Sequence, residues 1–192
     1  TIQGGLTSEF IPYGVGCIKS YYLHNGLHRG NYEITLFQDP HLLADAFLDI
    51  QPSVLAFSNY SWNRNLSYAI AEEAKRRSPE TLVVFGGPNY PLDKQEKYKW
   101  LTRFPAVDLY ITGEGEEPFA RVLDYWYEHR DIEQLKAQSI DGLEALSNGG
   151  IYRFSDDPYR LKSLDQFPSP YVKGYLDQFL VDEKLIPLTE TN

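Results

Sequence analysis

Between about residues 30 and 130, short apolar β-branched runs alternate with stretches whose apolar residues recur at helical spacing. This alternation constrains the fold more than any other feature, because a buried strand followed by a helix, repeated, specifies a parallel sheet covered on both faces. The strand runs are Tyr32–Phe37, Val54–Ser58, Leu82–Phe85 and Asp108–Thr112, with Ile2–Gly4 as the remnant of a first strand. Helices are expected over Gly14–Asn25, His41–Ile50, Leu66–Arg77, Lys94–Arg103 and Pro118–His129. In Leu66–Arg77 the inward stripe is Leu66, Ala69, Ile70 and Ala74, with Glu72, Glu73, Arg76 and Arg77 on the wet side. Asn63 or Asn65 can cap that helix.

Five strands and five helices in this order predict an α/β fold, a flavodoxin-like or Rossmann-like three-layer sandwich with a five-stranded parallel sheet of order 2-1-3-4-5. Residues 1–130 form this domain. After about residue 131 the pattern breaks, and residues 131–192 read as a connector leading elsewhere. Within the connector, Ile151–Phe154 and Tyr159–Lys162 are expected to pair as a small hairpin after a turn at Gly149-Gly150. In open α/β sheets ligands bind beyond the carboxyl ends of the strands, so the informative loops are those just after each apolar run.

Composition narrows the class of partner. Asp+Glu 27 against Lys+Arg 18 gives a net charge of −9, which argues against nucleic acid or an anionic membrane surface, both of which are met by clustered basic residues. No stretch approaches the ~20 apolar residues of a membrane span. The single Cys17 excludes an internal disulfide and cannot by itself hold a zinc ion or an iron–sulfur cluster, so a reducing, cytoplasmic setting is expected. The chain contains no Met and opens on Thr1, as a piece of a longer protein would.

Three loops carry the residues that could meet a ligand. Ser58 either closes a strand into a turn or donates into a ligand beside the sheet, and Asn59, Tyr60, Ser61, Trp62 and Asn63 follow with two aromatics and two amides that no core requires. Gly86, Gly87 and Pro88 form either a tight turn or a place where backbone approaches a ligand closely. Gly113, Glu114, Gly115 and Glu116 look like a dinucleotide fingerprint, but Pro118 stands where that pattern wants Gly or Ala, and two carboxylates would repel a pyrophosphate. Those acids are either solvated first-turn residues or acceptors for ligand amides and hydroxyls. His24, His28, His41 and His129 show no metal-ligand spacing. No nucleophile elbow or P-loop occurs, and Ser58 and Thr112 stand where a phosphoacceptor receiver needs Asp and Lys.

The runs Pro52–Asn63, Val83–Pro88 and Val107–Glu116 together resemble the N-terminal cobalamin-binding domain of cobalamin-dependent radical SAM enzymes. The likeness continues through Leu164–Tyr171 and Pro187–Asn192, which are similar to the stretch before the cluster-binding Cys-x-x-x-Cys-x-x-Cys motif of the radical SAM core. The resemblance implies that the nucleotide tail of cobalamin threads beside the sheet near Ser58 and Gly86-Gly87, with Glu114, Gly115 and Glu116 at the same mouth. It implies that the corrin lies over the strand ends, against Pro12, Tyr13 and Gly14 and the loop Tyr60–Asn63. Methionine synthase and the mutases carry Asp-x-His-x-x-Gly; here Tyr22 and Gly26 precede His24 and His28 where that motif has Asp. The resemblance therefore implies base-off cobalamin without a His ligand. In the parent protein it implies a [4Fe-4S] cluster, S-adenosylmethionine and a radical SAM domain as the partner of this module, acting as a methyltransferase or a related cyclase. Alternatives are a cofactor-free docking domain and a free-standing protein binding a mononucleotide.

Overall fold

The computed structural model describes residues 11–155 and 159–180, without the side chains of Leu48 and Leu164. The helices are α1 (Tyr13–Asn25), α2 (Pro40–Asp49), α3 (Arg64–Arg77), α4 (Lys94–Arg103), α5 (Glu116–His129) and the short α6 (Ile132–Lys136). The strands are β1 (Val54–Ser58), β2 (Leu82–Gly86), β3 (Leu109–Ile111), β4 (Leu143–Leu146) and β5 (Tyr152–Arg153), in spatial order β1-β2-β3-β4-β5. β1, β2 and β3 run parallel, while β4 joins β3, and β5 joins β4, antiparallel.

Strand residues alternate between two cores, as a sheet covered on both sides requires. Leu82, Val84, Leu109 and Ile111 face Val122, Trp126 and Leu135 of α5 and α6. Val83, Phe85 and Tyr110 face Ala71, Trp100 and Leu101 of α3 and α4. Full burial of such side chains contributes roughly 1.5–3 kcal/mol apiece, and the three-layer α/β sandwich follows from the two faces. α1 lies on α5 through Tyr21, Tyr22, Ala120 and Leu123. Asp124 accepts from the Tyr22 hydroxyl at 3.1 Å and from the amides of Leu27 and His28, fixing the turn that ends α1.

The parallel order 2-1-3-4-5 is revised in its outer places. β1, β2 and β3 occupy the third, fourth and fifth positions in sequence. Ile2–Gly4 lies outside the described residues. Tyr32–Phe37 forms no strand ladder among them, although its burial still alternates; Tyr32 and Ile34 pack instead on the α1–α5 core. The sheet reaches five strands through β4 and β5, which come from the segment read as a connector. That segment holds a hairpin, but its partners differ from those expected: β5 pairs with β4 around Ser147–Gly150, and Tyr159 bridges to Gly113.

α3 is also turned relative to its expected stripe. Ser67, Ala71 and Ala74 face inward while Leu66 is exposed. Two alanines let the helix approach the sheet closely, and Lys75, at the end of that face, forms a 2.6 Å ion pair with buried Asp108 just before β3.

Candidate functional site

The three parallel strands end level with one another, Ser58 opposite Gly86 and Gly86 opposite Ile111. The loops that follow them are therefore adjacent, and all three loops singled out from the sequence meet at one end of the sheet.

After β1, Asn63 stands at the N-cap of α3, but its side chain shapes the loop and makes no capping bond. Its side chain accepts from the Tyr60 amide at 2.8 Å and donates to the Ser58 carbonyl at 2.7 Å. This tight loop holds Tyr60 and Trp62 stacked, ring centres 4.5 Å apart, and leaves Trp62 66% exposed. A large indole held in water by a hydrogen-bonded turn is free to stack on a flat ligand. Asn59 is the opposite case, fully buried. Its backbone N–H donates to the Gly86 carbonyl, and its amide donates to the Asn89 carbonyl at 2.7 Å and the Tyr110 hydroxyl at 3.2 Å. Asn59 thus ties neighbouring loops together instead of facing a ligand.

After β2, Gly87 has φ +108°, and a Cβ there would lie 2.9 Å from the Asn59 carbonyl oxygen. Only glycine fits. Gly86 has ordinary room, its nearest neighbour to a Cβ being the Ile111 carbonyl oxygen at 3.4 Å, and Gly87 and Pro88 are exposed.

The loop after β3 is partly committed to the chain. Gly113 (φ +78°) bridges to Tyr159. Glu114 accepts from the Leu161 amide and lies 3.5 Å from Arg160, and Glu117 accepts from the Tyr159 hydroxyl. Gly115 packs where a Cβ would sit 3.3 Å from Ile18 of α1, bringing the start of α1 to the same mouth. Glu116 differs from its neighbours: its Oε2 is buried with no hydrogen-bond partner among the described residues. Burial pushes its carboxyl up from the usual range, with Glu114 adding repulsion. Tyr13 stacks on Tyr171, ring centres 5.6 Å apart. Apart from its own helix, no described residue comes within 4 Å of a Cβ built on Gly14, and Pro12 precedes the helix.

The structure therefore gathers open glycine backbone, exposed rings and an unpaired carboxylate oxygen at one mouth. These fit a broad, flat ligand edged with amide donors. Asn89, Tyr110 and Tyr171 join the site without having been expected; Tyr110 reads from sequence as core, and only its hydroxyl marks it otherwise. Among the described residues no group of His, Cys, Asp or Glu could hold a metal ion, and no helix is long and apolar enough to cross a membrane.

Comparison with known proteins decides the ligand class. Residues 8–123 match the family model of the B12 binding domain. The chain belongs to this family of cobalamin-binding domains. It is 31% identical over 195 residues to 2-(S-pantetheinyl)-carbapenam-3-carboxylate methyltransferase of Streptantibioticus cattleyicolor, covering 95% of this chain and 27% of the relative. It is 30% identical over 175 residues to the cobalamin-dependent radical SAM methyltransferase TokK of Streptomyces tokunonensis, covering 88% of this chain and 24% of that one. The B12-binding domain thus spans about a quarter of the curated relatives it matches. The apo, selenomethionine-labelled structure of the cobalamin-dependent S-adenosylmethionine radical enzyme OxsB shares its fold, with a TM-score of 0.59 at 15% identity over 85% of this chain and 22% of that one. The Rossmann-like reading and the likeness to radical SAM enzymes hold.

Proposed function

We propose that this domain binds cobalamin base-off and presents it to a radical SAM domain of the same parent protein. The cofactor domain extends through the β4–β5 hairpin that completes its sheet, and the chain beyond that hairpin leads toward the partner. The nucleotide tail passes beside the sheet near Ser58 and Gly86-Gly87. The corrin rests across the strand ends, against Pro12, Tyr13 and Gly14 and against Tyr60, Ser61 and Trp62. Gly113, Gly115 and Glu116 line the third side, where the Glu116 oxygen accepts from a corrin amide; Glu114 holds the segment at Arg160 and Leu161.

The observation that carries this reading is Gly87, whose positive φ and contact with Asn59 keep bare backbone at the mouth. Cobalamin supplies a carrier for a methyl group, and the cluster and S-adenosylmethionine belong to the partner domain. What these residues do is bind, orient and shield. None of the four histidines lies in the three loops; bound base-off, the cobalt would have no protein imidazole from them, and Tyr60 and Trp62 would hold the corrin by contact.

Incubating the purified 192-residue chain with hydroxocobalamin and then desalting tests the reading. Retention of the corrin absorption band is expected, whereas a colourless protein overturns it in favour of a docking domain. Nitrogen hyperfine splitting from a protein imidazole in the electron paramagnetic resonance of the reduced complex would overturn the base-off, His-free part alone.

A further inference from the structure

Resting on that reading, we propose that Tyr110 is a positioning residue for the nucleotide tail: its buried hydroxyl fixes the loop after β2 against the loop after β1, and so sets preference for the complete cofactor over a tail-less corrinoid. One oxygen atom joins three strand ends. The Tyr110 hydroxyl donates to the Gly87 carbonyl at 2.8 Å and accepts from the Asn59 amide at 3.2 Å. Asn59 in turn donates to the Asn89 carbonyl, and the Asn89 amide lies 3.4 Å from Asn59 Oδ1. Both Tyr110 and Asn59 are fully buried.

The same loop is held a second time at Tyr90. The Tyr90 ring stacks on Tyr110, centres 3.7 Å apart, and its hydroxyl donates to Glu144 at 3.0 Å. Glu144 is itself fully buried on β4, accepting also from Lys97 and from Tyr152, each at 2.6 Å. This anchor lies beyond the matched residues 8–123, so the hairpin of β4 and β5 supports the cofactor loop.

Packing alone does not require these hydroxyls. Tyr110 sits among Phe85, Trp100 and Leu101, where Phe would fill nearly the same space without a buried polar atom to satisfy. What the hydroxyl adds is the placement of the Gly87 carbonyl, and with it the path of the chain past which the tail runs.

The test compares hydroxocobalamin with cobinamide, which has the corrin but lacks the nucleotide tail, by absorbance titration of the 192-residue chain and its Tyr110→Phe variant. The unmodified chain is expected to prefer hydroxocobalamin. Tyr110→Phe is expected to raise the Kd for hydroxocobalamin about tenfold, the scale of one or two net hydrogen bonds, and to leave that for cobinamide within about twofold. Equal losses for both ligands would mean general destabilisation and would overturn the proposal, as would unchanged binding of both. If Tyr110→Phe does not fold, Tyr90→Phe carries the test, with a loss of about threefold confined to hydroxocobalamin. Failure of the unmodified chain to bind either ligand would instead overturn the cobalamin reading itself.

Discussion

The two ends of the sheet are built on opposite terms. At the amino end, between α3, α6 and the start of β3, lies a cleft of about 550 Å³ lined by Lys75, Asp108, Glu133 and Lys136, among others. Each of these four charges has a partner there: Lys75 pairs with Asp108 at 2.6 Å and Lys136 with Glu133 at 2.8 Å. At the carboxyl end stand Trp62 in water, bare glycine backbone and a carboxylate oxygen with no hydrogen-bond partner among the described residues. The charges of the cleft satisfy one another, whereas the carboxyl-end mouth keeps exposed rings and a carboxylate oxygen that no described residue pairs.

Four substitutions break or sharpen this contrast. The largest effect on stability is expected at the closed end. Asp108→Ala strands Lys75 and removes the acceptor that holds the Val83 amide at 2.8 Å; urea unfolding should show a loss of about 3–5 kcal/mol. The folded fraction should still retain cobalamin, and loss of retention by well-folded Asp108→Ala would break the contrast.

At the open end Gly87→Val should do the reverse. A β-branched side chain at φ +108° that also meets Asn59 costs about 1–3 kcal/mol in strain, yet corrin retention after desalting should vanish. Unchanged retention would remove this loop from the site.

Trp62→Ala should leave the melting temperature nearly unchanged, since the ring is mostly exposed, while weakening hydroxocobalamin binding several-fold in an absorbance titration. An unaltered Kd would show that the indole does not meet the corrin.

The smallest effect is pH-dependent. The carboxyl of Glu116 is raised by burial, so the wild-type advantage is complete below the unfolded carboxylate range and fades as pH rises through the raised folded value. Glu116→Gln does not titrate. Relative to wild type, the ligand-free variant should gain melting temperature between pH 4 and pH 7, by about 1–3 °C on the usual scale for a domain of this size. A difference independent of pH would mean that the carboxyl is not desolvated.

What the sequence disclosed and what it hid follow from how local each signal is. Helices α1 to α5 and strands β1 to β3 rest on short-range periodicity and so were legible, and the candidate loops follow from where those strands end. The outer sheet was not. Tyr32–Phe37 keeps its alternation, but a strand also needs a ladder partner, which periodicity cannot supply. In β4, which was not expected as a strand, Glu144 interrupts the apolar residues Leu143 and Ala145 and is satisfied in the core only because Lys97, Tyr90 and Tyr152 arrive from other segments. Asn59 and Asn63 were recognised as loop amides, but their work in holding the loops depends on partners that only the folded chain brings near.

Amide hydrogen exchange with and without hydroxocobalamin tests the central claim most directly, because it reports on both ends of the sheet at once. Protection gained on binding is expected to concentrate in residues 59–63, 86–89 and 113–116, with residues 75–79, 105–108 and 132–136 unchanged. Protection centred on the amino-end cleft, or none at the strand ends, would contradict it.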